Sequence, residues 1–125
     1  MAHKRGPFRI ADRLRSFSDA FHGIGHAIMH EHNLWIHLVV TVIVLFNGLW
    51  FKISRADWVI VLLCIGGVIA AELFNSAIEA LADKVEPERD PVIRRVKDMS
   101  AGAVLVMAIT AAVVGTLVFL PYWLK

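Results

Sequence analysis

Four polar side chains stand in a stretch that otherwise reads as lipid-soluble: Glu72, Asn75, Glu79 and Asp83, within the run from Ala71 to Asp83. At about 100° per residue on a helix they fall within about 80° of one another, so they form one polar stripe. A single acidic residue in mid-span costs roughly 2.5–3.5 kcal/mol on insertion scales. A lone Asn there is explained well by interhelical hydrogen bonding, with Ser76, Ala77 and Ala80 letting helices approach closely. Two Glu and an Asp are not, because repelling carboxylates hold helices together only when a metal ion, a shared proton or Lys and Arg partners neutralise them.

Candidate partners converge on the same depth. Lys97-Asp98 opens the third apolar stretch, Glu31 lies where an amphipathic segment turns into the first, and Ser100-Ala101-Gly102-Ala103 supplies small residues that admit a close neighbour or substrate. Taken singly, Lys97 reads equally as a snorkelling topology signal and Asp98 as a helix N-cap. Hard carboxylate and amide oxygens, with no Cys or clustered His among them, favour Mg²⁺, which shares its shell with water and substrate phosphates. That set suits phosphoryl transfer: metal and Lys offset phosphate charge, and a carboxylate takes the proton of an attacking hydroxyl. The chain contains neither a Gly-x4-Gly-Lys-Ser/Thr loop nor a Gly-x-Gly-x-x-Gly fingerprint, so any nucleotide site differs from those of soluble kinases.

The elements that must position these groups follow from hydropathy. With 58% hydrophobic residues in 125 and a mean hydropathy of +0.63, the chain is read as an all-α integral membrane protein. The expected spans are 34–51, 58–82 and 99–120, each near the ~20 residues needed to cross the hydrocarbon core, with a cytoplasmic link at 83–98. Apolar residues at spacings of three and four from Phe8 to Ile28 predict an interfacial amphipathic helix over 8–32. Gly23 and Gly25 mark a break or a close packing contact within it. Trp50 and Trp58 flank a short hairpin link as interfacial anchors, Pro87 and Pro91 end the second helix, and Pro121, Tyr122 and Trp123 close the third span.

Five Lys and Arg precede the first span (Lys4, Arg5, Arg9, Arg13, Arg15) and five lie in the 83–98 link (Lys84, Arg89, Arg94, Arg95, Lys97). The positive-inside rule thus places the N-terminus and the link in the cytoplasm. No short apolar core with a cleavage site opens the sequence, so no removable signal peptide is expected. Cys64 stands alone as a small core hydrophobe. A formal charge of +2 is too small to indicate nucleic acid, so none is expected as a partner, and the basic residues are better explained by topology and anionic lipid.

Three functional classes remain open from the residues alone. The stripe serves a kinase, a proton- or cation-coupled transporter, or a structural subunit whose polar face specifies association. All six His precede the midpoint of the first span, and His22, His26 and His30 follow at steps of four, which admits a transition-metal stripe. Their plainer reading is a polar face among headgroups, with His37 a satisfied interior or interfacial histidine.

The run Glu72-Leu-Phe-Asn75-Ser-Ala-Ile-Glu79-Ala-Leu-Ala-Asp83, with Lys97-Asp98-Met-Ser-Ala-Gly-Ala-Val downstream, resembles the prokaryotic diacylglycerol kinase and undecaprenol kinase family over nearly the whole chain. The resemblance implies a homotrimer of three-span subunits in the bacterial inner membrane, with shared Mg-ATP sites at the cytoplasmic interface. It implies Glu72 as general base toward the lipid hydroxyl, and Glu31 and Glu79 as metal ligands. Asn75, Glu79, Asp83, Lys97 and Asp98 would meet the nucleotide, with Glu88 and Arg13 as further nucleotide contacts and Ser100 and Ala101 beside the lipid. Arg89 and Asp90 depart from the family's usual Tyr-His, and Trp35 from its Arg-like or Phe-like residue. Glu31-x-Asn33-x-x-x-His37 and Lys97-Asp98-x-x-Ala101-Gly102-Ala103-Val104 look more like the undecaprenol kinase branch, so undecaprenol is expected ahead of diacylglycerol.

Overall fold

The computed structural model describes residues 6–125; His3, Lys4 and Arg5, which entered the histidine and charge patterns above, lie outside the described residues. Four helices follow in chain order: α1 (Ile10–His30), α2 (His32–Phe51), α3 (Arg55–Val85) and α4 (Pro91–Trp123). The last three are long and apolar enough to cross a membrane, and at most 22% of any span's apolar window is buried. The protein is therefore all-helical and multi-pass, with its bare faces turned to lipid or to other protein. At ~1.5 Å per residue α2 is about 30 Å long, matched to the hydrocarbon core, whereas α3 and α4 reach about 46 and 50 Å and must project beyond it. They project at the end where the 86–90 link joins them.

Packing is strongest between α3 and α4, and the hydrophobic core sits at the opposite end, around Ile53, Val61, Val118 and Phe119 with Trp58 and Tyr122 against them. There the α2–α3 turn is fixed by Lys52, the one non-glycine residue with positive φ (49°) among those described. Ser54 caps α3 by accepting the Asp57 N–H (3.1 Å). The Tyr122 hydroxyl of α4 donates to Asp57 Oδ2 (2.6 Å) and accepts the Ser54 N–H (3.1 Å). Trp58 is more than an anchor. Its ring lies so close over Gly48 that a Cβ there would come within 2.6 Å of it. Trp50, by contrast, is exposed as an anchor should be.

Glu31 alone separates α1 from α2, in an extended conformation (φ −107°, ψ 108°), its N–H donating to Ala27 O (2.8 Å). Trp35 reaches back across this break, donating Nε1–H to Ile28 O (2.7 Å), one of the carbonyls the end of α1 leaves without a helical partner. The apolar side chains Phe8, Ile10, Leu14, Phe17 and Phe21 are all exposed. A helix with a bare apolar face, joined at a bend to a spanning helix, suits the membrane interface.

Several local expectations are corrected. Helix α1 runs unbroken through Gly23 and Gly25, and nothing lies within 4 Å of a Cβ placed at either, so they mark neither a break nor a close contact. Most of the expected 83–98 link is helical, leaving only 86–90 irregular. Pro91 starts α4 instead of extending the break: at the first helical position its missing N–H costs nothing, and Asp90 caps the helix by accepting from the Val92 and Ile93 N–H groups (2.8 and 3.1 Å). The cap is thus Asp90, and Asp98 lies within the helix. Pro121 does not close α4 either; a proline so near the end removes a single hydrogen bond, and the helix continues to Trp123.

Candidate functional site

Burial along the α3 stripe is graded. Glu72 (2% exposed) and Asn75 (6%) are buried, Glu79 is half-buried and Asp83 is exposed. Counting from Trp58 at ~1.5 Å per residue, Glu72 lies about 21 Å along the helix and Asp83 about 37 Å, so the stripe runs from two-thirds of the hydrocarbon depth into the polar zone at the link end.

Three of the four residues of the stripe meet a polar neighbour on another helix. At the deep end His37 of α2 brings Nε2 to 3.4 Å from Glu72 Oε2. One turn on, Ser100 of α4 donates its hydroxyl to Asn75 Oδ1 at 2.7 Å, and both side chains are buried. At the link end Lys97 of α4 forms an ion pair with Asp83. No buried side-chain nitrogen or oxygen among the described residues lacks a hydrogen-bond partner. Along the stripe, helices α3 and α4 are thus tied by two polar bridges of different depth, one neutral and dry, one charged and wet, in addition to the Tyr122–Asp57 bond at the far end.

Around the outer bridge is a cavity of about 650 Å³ lined by residues of the 86–90 link together with Asp83, Arg94 and Lys97. Glu88 is among its lining residues, its N–H turned onto Glu86 Oε1 (3.3 Å). Carboxylates, Arg and Lys line this open concavity at a helix junction, and its Arg and Lys are the groups that can pair with phosphate oxygens. Asp98 stands outside this lining, paired on the exposed flank of α4 with Arg94 (3.4 Å). Arg13 is not brought to the cavity. Its guanidinium lies over the Phe8 ring at 5.4 Å, near the start of α1.

Glu31, at the α1–α2 bend, lines a separate cleft with Ser76, Ala77 and Ala80 of α3. The small residues of α3 therefore open a gap toward α1, as their size allows. Among the described residues no three His, Cys, Asp or Glu side chains converge to hold a metal ion. The donor set still fits Mg²⁺: Glu31 and Glu79 are half-buried hard oxygen donors, and Mg²⁺ takes one or two carboxylates and fills its octahedron with water and phosphate oxygen. The histidines of α1 do not form a transition-metal stripe. His22 and His30 turn Nδ1 onto the carbonyls of Ser18 and His26 (2.8 and 2.9 Å), and the His26 and His30 rings stack at 4.2 Å.

Ala101 is exposed beside the buried Ser100. The sequence did not show two contacts of the candidate site. His37 is a satisfied interior histidine, as expected, and its partner is Glu72, while Ser100 is the partner of Asn75. A signal was available for His37, since a titratable ring in an apolar span requires a polar partner.

Comparison with known proteins gives the same direction. Residues 18–119 match the family described as prokaryotic diacylglycerol kinase. The chain is 36% identical over 107 residues to the undecaprenol kinase of Bacillus subtilis (strain 168), covering 86% of this chain and 87% of that protein. It is 29% identical over 120 residues to the diacylglycerol kinase of Synechocystis sp., covering 94% and 69%. It is also 29% identical over 90 residues to that of Escherichia coli (strain K12), covering 72% and 70%. With a family match across most of its length and a carboxylate stripe that runs from a buried Glu72 to an exposed Asp83 at a polar cavity, the chain belongs to the prokaryotic diacylglycerol kinase family of membrane lipid kinases.

Proposed function

We propose that this protein transfers the γ-phosphoryl group of ATP to the hydroxyl of undecaprenol, as a homotrimer in the bacterial inner membrane with its N-terminus and 86–90 link in the cytoplasm. The observation that carries the reading is Glu72: a carboxylate 2% exposed, at the deep end of a stripe whose other end opens to water. Such a group can meet an alcohol that stays in the bilayer. The proton of the lipid hydroxyl passes to Glu72 as its oxygen bonds to the γ-phosphorus, and the bond from phosphorus to the β–γ bridging oxygen breaks, leaving ADP.

Asn75, held by Ser100, fixes the middle of the site, Lys97 receives the phosphates, and Asp83 and Glu88 are further nucleotide contacts beside it. Asp98 and Arg13, which lie apart from the cavity in one subunit, would reach the nucleotide only in sites shared between subunits. Glu31 and Glu79 would hold Mg²⁺, and Ser100 and Ala101 border the lipid. When bound, Mg²⁺ supplies charge neutralisation at the transferring phosphoryl group. Undecaprenol is preferred to diacylglycerol because the 36% identical relative is an undecaprenol kinase, whereas the diacylglycerol kinases are 29% identical.

The test is to supply purified protein in detergent with Mg-ATP and either undecaprenol or diacylglycerol at equal mole fraction. Faster labelling of undecaprenol is expected. Faster labelling of diacylglycerol overturns the substrate assignment, and ion flux in vesicles without labelling of either lipid overturns the kinase reading in favour of a transporter. Glu72→Gln should abolish turnover in an intact assembly; full activity in this variant would mean that the stripe only specifies association.

A further inference from the structure

His37 is the side chain placed against Glu72, with Nε2 3.4 Å from Oε2 and side-chain exposures of 20% and 3%. Its surroundings offer it little else. The groove it borders is lined by apolar residues such as Ile36, Val40, Cys64 and Val68. The nearby hydroxyl of Thr41 is already committed to the carbonyl oxygen of His37 itself (2.7 Å). A carboxylate that must receive a proton from a bound alcohol works best with one oxygen held and the other presented, because a misplacement of about 1 Å can cost 100-fold in rate.

We propose that His37 is a positioning residue for the general base: its Nε2–H holds Oε2 of Glu72, so that Oε1 faces the lipid hydroxyl. The proposal rests on the reading of Glu72 as the base. It deepens that reading by giving the base a partner on a second helix, so that the angle between α2 and α3 becomes part of the catalytic geometry. The contact runs through the distal ring nitrogen, which sets up a specific test. Glutamine places an amide N–H near the Nε2 position, while asparagine places one near Nδ1, too short to reach Glu72.

The experiment compares His37→Gln and His37→Asn in purified, assembled enzyme, with kcat and both KM values measured against lipid alcohol and ATP. His37→Asn is expected to lower kcat about 10- to 100-fold with the KM for ATP unchanged, while His37→Gln retains most of the wild-type kcat. Equal rates for the two variants, or a loss confined to the KM for ATP, would overturn the proposal. Glu72→Gln is measured beside them. If it turns over at the wild-type rate, the base assignment itself fails and the positioning role with it. If it is inactive while the two His37 variants coincide, the base stands and His37 only fills space.

Discussion

Removing the hydroxyl of Ser100 tests the inner bridge between α3 and α4. Its hydrogen bond to Asn75 Oδ1 is 2.7 Å long, and the two residues are 8% and 6% exposed. In a water-soluble core, stranding such an acceptor costs about 1–3 kcal/mol. In a membrane the penalty is smaller, averaging ~0.6 and reaching ~1.7 kcal/mol, because helices separated in lipid find other partners. The dryness of this pair puts Ser100→Ala toward the upper part of that range, about 1–1.5 kcal/mol. The opposite substitution should cost less. In Asn75→Leu, which keeps the side chain's shape, Ser100 can turn its hydroxyl to the carbonyl one turn earlier in α4. Unfolding in mixed detergent, followed by tryptophan fluorescence, should therefore rank Ser100→Ala below Asn75→Leu in stability. Activity should rank them the other way, since Asn75 itself belongs to the proposed site. If Ser100→Ala unfolds like the wild type, the hydrogen bond carries no weight, and the reasoning that places Asn75 by it is refuted.

The outer bridge should behave differently. Asp83 and Lys97 are 62% and 31% exposed, so Asp83→Asn should change stability by less than about 1 kcal/mol. Lys97→Met should be equally mild in unfolding yet lower kcat/KM for ATP about 100-fold or more, as loss of a phosphate-binding charge does; an unchanged kcat/KM would remove Lys97 from the site. Two glycines should part company in thermal unfolding. Gly48→Ala drives a methyl to 2.6 Å from the rigid Trp58 ring and should destabilise by about 1–3 kcal/mol. Gly67→Ala meets only the flexible tip of Met107, at 2.7 Å, and gains up to ~1 kcal/mol of helix propensity, so it should be neutral or stabilising. Tyr122→Phe should lower the unfolding midpoint by freeing the Ser54 N–H while leaving activity per folded chain unchanged, since this contact lies at the end of the bundle away from the site.

What the sequence disclosed followed the size of the energies involved. Acidic residues in an apolar run are costly enough that Glu72, Glu79 and Asp83 stand out without any structure, and their helical spacing gives the common face. The three spans are equally plain, because nothing but burial in lipid tolerates such stretches. Pairings across helices were not legible. Whether Asn75 meets Ser100, or Glu72 meets His37, depends on the rotation and sliding of one helix against another, to which spacing within a single helix is blind. The start of α4 was within reach but masked. Asp90-Pro91 carries the signature of a cap followed by a first-turn proline, and the same two residues also carry the signature of a chain break. The hydrogen bonds from Val92 and Ile93 to the Asp90 carboxylate decide for the helix.

This extension of α4 bears directly on the chemistry. Had the third helix begun at residue 99, Lys97 would have sat in a loop, free to swing and costly to order around a phosphate. In a helix that begins at Pro91, Lys97 and Ser100 lie one turn apart on the same face, and they meet Asp83 and Asn75 on α3. The dry bridge therefore fixes the register of the two helices, and the long Lys97 side chain reaches Asp83 within it. On the proposed reading this rigidity has a purpose. The alcohol reaches Glu72 from the bilayer and the nucleotide reaches Lys97 from water, so the two substrates meet only if the length of α3 between those levels, about 16 Å, is held fixed.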